Sequence, residues 1–434
     1  MVSRAKGTRD FLPEQMHDRL FVLQTIAQIY REHGFEPMDT PAFERIETLK
    51  GKSGEESEKL IFEILRRGEH GKRGEVDLGL RFDLTVPLAR VVAMNSGLRM
   101  PFKRYQMGPV WRADRPGRGR FREFWQCDID ICGTRDTLAE SECLAVFSRV
   151  LSTLGMEVVL RLNDRRLLRA LARHLGVEDR ESELLVAIDK LDKIGVEGVD
   201  RELERRGLGQ VSAALWAVLL GEDDPLERMA RALADQPETE SAVADLRAVM
   251  RDAVALGCPP DQLVVDPTLA RGLDYYTGPI WEAALVGSGM GSLGGGGRYD
   301  ALIGMFKGGQ PVPAVGCAIG LERILVLRDE AGMSATRTSA PVLVTIFDSE
   351  KRSQSIAAAR AFREAGVGAD LYADARKLKA QLKYANARGY RFVLMIGKSE
   401  IDSETVMIKD LTTGEQVALA IESAIEHVRS AMIA

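Results

Sequence analysis

A glycine-dense stretch, residues 287–309, restricts the folding of this chain more than any other segment. Its sequence, GSGMGSLGGGGRYDALIGMFKGG, holds ten glycines in 23 residues. Because glycine lacks a Cβ atom, such a stretch permits positive φ angles and a close approach of the backbone to a ligand. The spacing matches neither the P-loop pattern G-x-x-x-x-G-K-[ST] nor the strand-turn-helix G-x-G-x-x-G of a dinucleotide-binding fold. Taken alone, the stretch is typical of a glycine-rich hairpin.

The segments on either side of this stretch favour a ligand site. Upstream, RGLDYYTG precedes the strand-like run IWEAAL, and downstream AVGCAIGLERIL joins a glycine-rich strand to a helix. Isolated arginines in such elements mostly form structural salt bridges. Arg112, Arg271 and Arg323, however, stand in sheet-like contexts with few local acids. Together they indicate an anion site.

The pattern of apolar residues divides the chain into domains. Apolar side chains recur at helical spacing over residues 13–33, and strand-like runs follow. Helical sequences such as RRLLRALARHL and SAVADLRAVMRDAVAL then interrupt the sheet texture, and EAGMSATRTSAP is typical of a linker. The sequence predicts a first domain at residues 1–330 with a helical insertion at about 163–258, a linker at 331–340, and an α/β domain at 341–434.

The composition excludes several classes of protein. With 45% hydrophobic and 28% charged residues, the chain is an ordinary globular protein rather than a disordered, collagenous or disulfide-rich one. The formal net charge of −5 argues against a nucleic-acid partner when it is averaged over the whole chain. That average can hide local surfaces of the opposite sign.

The cysteine pattern and the N-terminal sequence indicate the cellular compartment. The five cysteines form no C-x-x-C pair and no cluster at zinc spacing, so we expect a reduced intracellular protein without a zinc site. The first residues, MVSRAKGTRDFLPEQ, lack the apolar core of a signal peptide, and no run of 18 apolar residues occurs. We therefore expect a cytoplasmic protein with no membrane partner.

Positive charge is concentrated in two segments. Residues 99–122 carry eight basic residues and one acid, and residues 376–391 carry six basic residues and no acid. Each segment predicts a positive surface or pocket, although such runs are also typical of a solvated face. In the second segment, Arg376, Lys379 and Lys383 would share one face of a helix that could follow a phosphate backbone. Two basic segments in two domains indicate a long polyanion.

The order of these motifs resembles that of the histidyl-tRNA synthetases, a family of class II aminoacyl-tRNA synthetases. KGTRDFLP is similar to their N-terminal segment, RFDLT to their substrate-amine segment, and WRADRPGRGRFREFWQCDIDICG to the second class II motif. RGLDYYTG and GGGGRYDAL resemble the two histidine-specific signatures, and AVGCAIGLERIL resembles the third class II motif. Beyond the linker, ADARKLKAQLKYANARGYRFVLMIGKSEI is similar to the anticodon-binding domain of these enzymes.

The resemblance implies both a fold and a reaction. The fold is an α+β catalytic domain, with an antiparallel sheet of six or seven strands flanked by helices and the helical insertion, followed by an α/β anticodon-binding domain. The reaction activates L-histidine with ATP, which carries Mg²⁺, to histidyl-adenylate, and then transfers histidine to the 3′ end of tRNA(His). A homodimer with residues 36–41 at the interface is also implied.

The resemblance further implies roles for individual residues. Arg112 and Arg271 would be catalytic. The histidine site would be formed by Asp83, Leu84, Thr85, Arg112, Gln126, Asp130, Arg271, Tyr275 and Tyr276. The ATP site would be formed by Arg112, Arg120, Phe124 and Arg323. The tRNA contacts would come from Arg115, Arg118, Arg376, Lys379 and Lys383.

Within the histidine site, Asp83, Thr85 and Gln126 would hold the α-amino group, while Asp130 and Tyr276 would face the imidazole. Asp83 and Asp130 stand where many bacterial members of the family carry glutamate, so their carboxylates reach less far. A site that bonds both ring nitrogens rejects analogues that lack them, because its buried polar groups would be left without partners.

Two other functions compete with the enzyme. One is a catalytically silent relative such as the regulatory subunit of ATP phosphoribosyltransferase, which typically lacks the histidine signatures and the anticodon domain. The other is an RNA-binding or regulatory module with a synthetase-like fold and no turnover. The retained Arg112, Arg271 and Arg323 argue against this second alternative, because an RNA binder has no use for an adenylate site.

Overall fold

The computed structural model describes residues 2–51, 58–270, 275–287, 291–333, 338–347, 350–374 and 376–433. The chain forms two compact units. The first unit comprises residues 1–9 and 22–331, and the second comprises residues 10–21 and 332–434. Residues 10–21, which include the start of the first helix, are grouped with the C-terminal part of the chain.

An eight-stranded sheet forms the centre of the first unit. Its strands are β1 (Glu36–Pro37), β5 (Phe102–Trp111), β6 (Glu123–Cys132), β7 (Val158–Asp164), β8 (Leu263–Val265), β9 (Pro279–Leu285), β10 (Gly294–Arg298) and β11 (Ala314–Gly320). The strand order is β1-β5-β6-β11-β10-β9-β7-β8. The six central strands are antiparallel, and the short edge strands β1 and β8 pair in parallel. These edge strands extend the sheet beyond the six or seven strands expected. A smaller antiparallel sheet contains β2 (Phe43–Arg45), β3 (Glu63–Leu65) and β4 (Val76–Leu80).

Helices flank this sheet and fill the segment between β7 and β8. Before β7 and after β11 lie α1 (Pro13–Glu32), α2 (Ile46–Leu49), α3 (Glu69–Lys72), α4 (Thr85–Met94), α5 (Leu138–Thr153) and α12 (Leu321–Glu330). Between β7 and β8 lie α6 (Arg165–His174), α7 (Glu181–Ile188), α8 (Leu191–Arg205), α9 (Ser212–Leu219), α10 (Pro225–Ala232) and α11 (Thr239–Ala255). Helix α1 ends before Gly34, whose positive φ of 73° suits the residue that follows a helix.

Alternation along β6 separates the core of the first unit from its polar face. Cys127 and Ile129 are fully buried in the apolar core shared with α1 and α5. The intervening residues Gln126, Asp128 and Asp130 point to the opposite face, because successive strand residues alternate. The polar residues of β6 are therefore available to a site on that face.

The second unit has a five-stranded sheet of order β13-β12-β14-β15-β16. Its strands are β12 (Val342–Val344), β13 (Ala369–Leu371), β14 (Phe392–Met395), β15 (Val406–Asp410) and β16 (Gln416–Leu419). Its helices are α13 (Arg352–Glu364), α14 (Leu378–Arg388), α15 (Lys398–Asp402) and α16 (Ile421–Ile433). Strands β12, β13 and β14 are parallel, as expected of an α/β domain. Phe362, Phe392 and Val428 contribute to its buried core.

Candidate active site

A small cavity of about 150 Å³ lies on the polar face of the large sheet. Its walls are formed by Asp83, Thr85, Arg112, Gln126, Tyr275, Tyr276, Tyr299, Gly316, Cys317 and Ala318. Six of these residues were predicted to bind histidine: Asp83, Thr85, Arg112, Gln126, Tyr275 and Tyr276. The cavity therefore brings together side chains that are distant in sequence but were predicted to act on one ligand.

Two buried oxygens in this cavity lack hydrogen-bond donors among the described residues. Asp83 Oδ1 accepts a hydrogen bond from the backbone of Val86 at 3.1 Å, whereas Asp83 Oδ2 has no partner there. Gln126 Oε1 is also buried and has no partner in the part of the chain that the structure describes. Burial raises the pKa of Asp83 to about 6, although the backbone hydrogen bond and Arg112 act in the opposite direction. Such a pair of unused acceptors suits a cationic group with several donors.

Three tyrosines form the aromatic wall. The Tyr275 ring lies 5.1 Å from that of Tyr276 and 5.8 Å from that of Tyr299, with edge-to-face geometry in both pairs. Burial raises the pKa of each of the three hydroxyls above its ordinary value, so all three remain neutral at physiological pH. Tyr299 was not among the residues predicted to bind histidine, although it belongs to the GGGGRYDAL motif.

The predicted imidazole partner Asp130 lies behind this wall. Its carboxylate does not line the cavity, but accepts a hydrogen bond from the Tyr299 hydroxyl and pairs with Arg104 at 2.7 Å. Leu84 is likewise fully buried and absent from the cavity wall, and its carbonyl accepts a hydrogen bond from Arg104. The short reach of an aspartate at position 130 leaves Tyr299 between the carboxylate and the cavity.

A larger cavity of about 650 Å³ adjoins the small one. Its walls include the predicted ATP-binding residues Arg112, Arg120, Phe124 and Arg323. Other wall residues are Asp114, Gly119, Phe121, Gln126, Asp189, Lys193, Glu282, Gly291, Ser292, Leu293, Gly294, Gly295, Ala318, Gly320 and Glu322. Arg112, Gln126 and Ala318 belong to both walls. The two cavities thus meet at Arg112, and the glycine-rich strand β10 forms part of the larger one without side chains.

Backbone and aromatic contacts hold the cations of the larger cavity. Arg112 donates through Nε to the Phe82 carbonyl at 2.8 Å, and its guanidinium lies 5.2 Å from the centre of the Phe124 ring. Arg323 donates to the Ser292 carbonyl. Arg120 pairs with Asp114 at 2.8 Å. Three guanidinium groups and two phenylalanines therefore border a space large enough for a nucleotide.

The helical insertion also contributes to this cavity. Asp189 and Lys193 lie at the junction of α7 and α8 and line its wall. No motif in the sequence indicated these two residues, because their helices read as an ordinary amphipathic segment. Arg271, predicted to be catalytic, lies outside the described residues.

The first basic segment does not form one positive surface. Arg104 is fully buried, and Lys103 pairs with Glu142 at 3.1 Å. Arg115 and Arg118, both predicted to contact tRNA, are exposed, and Arg118 donates to Glu330 at 3.0 Å. Strand alternation and loop geometry send these side chains to different environments, and Arg112 and Arg120 of the same segment line the larger cavity.

In the second unit, Lys379 and Lys383 are exposed one turn apart on α14. Arg376 does not share their helix as predicted, because α14 begins at Leu378; it precedes the helix and pairs with Asp374 at 2.7 Å. Tyr384 lies next to Lys383, is 37% exposed, and contacts the Tyr372 ring at 5.2 Å. This surface offers both cations and an aromatic ring, a combination suited to single-stranded nucleic acid.

The described residues, 2–51, 58–270, 275–287, 291–333, 338–347, 350–374 and 376–433, also bear on metals and membranes. Within those ranges, no group of three or more His, Cys, Asp or Glu side chains could hold a metal ion. Over the same part of the chain, none of the helices has the length and apolar character that crossing a membrane requires.

Comparisons with known proteins identify relatives over both units. The family model of histidyl-tRNA synthetase matches residues 7–324, and that of an anticodon binding domain matches residues 341–431. A histidine–tRNA ligase of Gloeobacter violaceus is 40% identical over 450 residues, which cover 96% of each chain. The crystal structure of a histidyl-tRNA synthetase from a Nostoc species superposes with a TM-score of 0.86 at 30% identity and covers 99% of both chains. A Bacillus halodurans structure titled as an ATP phosphoribosyltransferase regulatory subunit/histidyl-tRNA synthetase shares the fold, with a TM-score of 0.73 at 22% identity over 88% of this chain and 96% of that one.

Proposed function

Because the chain belongs to the histidyl-tRNA synthetase family, we propose that it is an ATP-dependent histidine–tRNA ligase. In the first step, the carboxylate of L-histidine attacks the α-phosphate of ATP and releases pyrophosphate, which leaves histidyl-adenylate. In the second step, the terminal ribose hydroxyl of tRNA(His) attacks the acyl carbon and displaces AMP. The observation that carries this proposal is a small cavity with unused acceptors that opens, at Arg112, into a larger one bordered by arginines.

The amino-acid substrate fits the small cavity by its donors. The ammonium group of histidine supplies hydrogen-bond donors to Asp83 Oδ2 and Gln126 Oε1, which have none among the described residues. Thr85 borders the same space. The carboxylate of the substrate would then lie near Arg112, where the two cavities meet. This arrangement keeps the attacking oxygen near the α-phosphate, which lowers the entropic cost of the first step.

The nucleotide fits the larger cavity by charge and by its aromatic wall. Charge develops on the α-phosphoryl oxygens in the transition state, and fixed guanidinium groups stabilise it. We assign this role to Arg112 and Arg271, with Arg120 on the phosphates and the adenine between Phe124 and Arg323. Mg²⁺ fits such a site chiefly through the phosphates and one or two carboxylates, and Asp189 and Glu282 line the wall. When bound, the ion neutralises charge on the departing pyrophosphate.

The tRNA would contact each unit separately. In the first unit, we assign contacts with the acceptor end to the exposed Arg115 and Arg118. In the second unit, we assign anticodon contacts to Arg376, Lys379 and Lys383, and the match to an anticodon binding domain supports this assignment. Replacing Lys379 and Lys383 together with alanine should raise the KM for tRNA without changing histidine activation. Equal tRNA KM values for the variant and the unsubstituted protein would contradict the assignment.

Family membership also supports the proposed assembly and setting: a homodimer with residues 36–41 at the interface, acting in the cytoplasm. The domain limits that we propose for function are 1–330, with the insertion at about 163–258, and 341–434, joined by residues 331–340. Sedimentation equilibrium would measure the mass of the particle. A monomer at all concentrations tested would refute the dimer.

The decisive experiment is ATP–pyrophosphate exchange with each of the twenty amino acids. We expect exchange with histidine alone, and no exchange with any amino acid would overturn the enzyme assignment. A silent relative of the ATP phosphoribosyltransferase regulatory subunit would give that negative result. Its typical lack of an anticodon domain already counts against it, because residues 341–431 match one. An Arg271→Ala variant should lower kcat for activation on the order of 100-fold or more, and an unchanged rate would mean that Arg271 is structural.

A further inference from the structure

A buried ion pair lies directly behind the small cavity. Arg104 on β5 and Asp130 on β6 occupy opposite positions in the antiparallel register. The Arg104 side chain has no exposed surface, that of Asp130 is 2% exposed, and the two approach to 2.7 Å. Neither residue lines the cavity. Any effect of this pair on a ligand must pass through a neighbouring side chain.

Tyr299 is that neighbour. Its hydroxyl bonds to Asp130 Oδ1, and its side chain forms part of the cavity wall. The carboxylate packs against the backbone of Gly316, where an added Cβ atom would lie 2.0 Å from Asp130 Oδ1, and it does not itself line the cavity. The contact between Asp130 and a ligand is therefore relayed by the tyrosine.

The charge of Asp130 decides which atoms Tyr299 offers to a ligand. A tyrosine hydroxyl has one proton, and an ionised carboxylate can only accept. When Asp130 is ionised, the Tyr299 proton points to it, so the oxygen presents only lone pairs to the cavity. A protonated Asp130 could instead donate to Tyr299, whose own proton would then turn toward the cavity. The cavity wall changes from acceptor to donor between these two states.

Arg104 favours the ionised state. Burial alone raises the pKa of the Asp130 carboxyl, and the adjacent guanidinium opposes that rise. The same guanidinium donates to the Leu84 carbonyl at 3.1 Å, within the Asp83–Thr85 segment that borders the other side of the cavity. The Arg104 guanidinium thus contacts both Asp130, which bonds to Tyr299, and the segment 83–85, which carries the proposed acceptor for the ammonium group.

The geometry of Arg104 is poorly suited to a purely stabilising role. Its Nε and Nη1 atoms are buried and have no hydrogen-bond partner in the described part of the chain. Removing a guanidinium from water is costly, and buried ion pairs can often be replaced by apolar residues with little loss of stability. An arginine with two unused donors therefore contributes less to stability than its burial suggests.

We propose that Arg104 is a positioning residue that keeps Tyr299 oriented as a hydrogen-bond acceptor for a ring N–H of the amino-acid substrate. This inference rests on the proposed function, since it concerns recognition of histidine in the same cavity. The residue acts through Asp130 and Tyr299 and does not itself touch the substrate. It makes the site selective for an aromatic ring that carries an N–H.

The test compares Arg104→Gln, Arg104→Lys and Tyr299→Phe in the full chain, by histidine-dependent pyrophosphate exchange. Arg104→Gln should raise the KM for histidine roughly 10- to 100-fold, as expected for a misoriented buried hydrogen bond, and should change the KM for ATP little. Arg104→Lys retains the charge and should recover part of the loss. Activation of 2-thienylalanine, whose ring has no N–H, should fall less, so that discrimination against it weakens.

A second buried pair provides the matched control. Arg298 on β10 bonds to Glu140 on α5 at 2.8 Å and lines neither cavity. Arg298→Gln also removes a buried cation, so its melting temperature should fall as in Arg104→Gln, with no selective change in the KM for histidine. The double variant Arg104→Gln/Tyr299→Phe should lose less histidine affinity than the two single losses added together, because both changes remove the interaction that Tyr299 makes.

Three outcomes would count against the inference. If Arg104→Gln and Arg104→Lys keep the original histidine KM and the original discrimination, Arg104 is structural only. Additive losses in the double variant would separate Arg104 from Tyr299 and overturn the relay. If Arg104→Gln does not fold, a loss of histidine affinity in Arg104→Lys that adds in full to the loss in Tyr299→Phe overturns it instead. Absence of exchange in the unsubstituted protein would overturn the proposed function itself, a result distinct from the other three.

Discussion

The two adjoining cavities of the first unit are built in opposite ways. The small one is about 150 Å³ and is bordered mainly by carboxyl, amide and tyrosine groups, most of which are buried. The larger one is about 650 Å³ and is bordered by arginines, some of them exposed, together with loop glycines and residues of the helical insertion. One cavity selects by buried acceptors that need a hydrogen-bond donor, and the other attracts by charge.

This difference assigns specificity for the amino acid to the small cavity and affinity for the phosphates of ATP to the larger one. A desolvated acceptor that finds no donor is costly, so the small cavity can discriminate strongly between similar amino acids. Exposed cations interact with phosphates through a higher dielectric and discriminate little among anions. Substitution of a residue that lines only the small cavity should therefore affect the use of the amino acid selectively. Substitution of a residue that lines both cavities should affect the whole reaction.

The largest effect is expected at Arg112, where the cavities meet. Arg112→Ala should lower kcat for histidine activation on the order of 100- to 1,000-fold, because it removes a fixed cation from the developing charge. Steady-state pyrophosphate exchange with both substrates varied would measure it. Arg112→Lys is the matched control: it retains the charge but loses the Nε hydrogen bond to the Phe82 carbonyl and the planar contact with Phe124, so its kcat should lie between those of Arg112→Ala and the unsubstituted protein. A loss confined to the KM of one substrate would show that Arg112 acts in only one of the two cavities and would contradict this prediction.

A smaller and more selective effect is expected at Asp83. Asp83→Asn should lower kcat/KM for histidine roughly 10- to 100-fold, because the ammonium group loses a charged acceptor, while the KM for ATP should stay nearly constant. Thermal unfolding provides the control. The stabilising contribution of the protonated Asp83 is fully present below its ordinary pKa of 3.8 and is lost as the pH rises through about 6. Asparagine is neutral at every pH, so a lower melting temperature at pH 7 would contradict this account of Asp83.

The same carboxyl should give the small cavity its own pH dependence. With a pKa of about 6, Asp83 becomes protonated as the pH falls from 7 to 5 and loses its value as an acceptor for the ammonium group. The ratio of kcat/KM for histidine between the unsubstituted protein and Asp83→Asn should fall about tenfold over this range. Taking the ratio cancels the titration of the substrate ring. A ratio that does not change with pH would show that the pKa of Asp83 lies outside the range from pH 5 to 7.

The smallest effect is expected at Lys193, the exposed cation that the insertion contributes to the larger cavity. Lys193→Ala should raise the KM for ATP about two- to fivefold, as expected for an exposed ionic contact, and leave the KM for histidine unchanged. Arg201→Ala is the matched control, because Arg201 lies on the same helix, is exposed and does not line the cavity. Equal ATP KM values for the two variants would show that the insertion does not act on the nucleotide.

Much of the fold could be predicted because its signals are local. Helical spacing up to His33 predicted α1 to within one residue, and Gly34 predicted its end. Strand-like runs predicted β12, β14 and β15, and the alternating texture predicted an α/β fold for the second unit. The edge pairings of β1 and β8 could not be predicted, because strands of two or three residues carry no periodicity.

The candidate site was predictable only where a motif had a familiar spacing. Asp83, Gln126 and Tyr276 reach the small cavity as proposed from their motifs. The burial of Arg104 and the intermediate position of Tyr299 depend on cross-strand register, which the sequence does not encode locally. The start of α14 at Leu378 likewise depends on the extended backbone of Lys377, so the face shared by Arg376 could not be foreseen.

The glycines in the sheet determine how the pocket could be changed. Gly294 lines the larger cavity and Gly316 the small one, and an added Cβ atom at either glycine would lie 2.0 to 2.2 Å from an oxygen atom of a neighbouring strand. Because no residue is smaller than glycine, substitution cannot enlarge the cavity at this part of the wall. A larger residue there would force the neighbouring strands apart. Any redesign of the small cavity for another side chain must therefore alter its tyrosines and leave the sheet as it is.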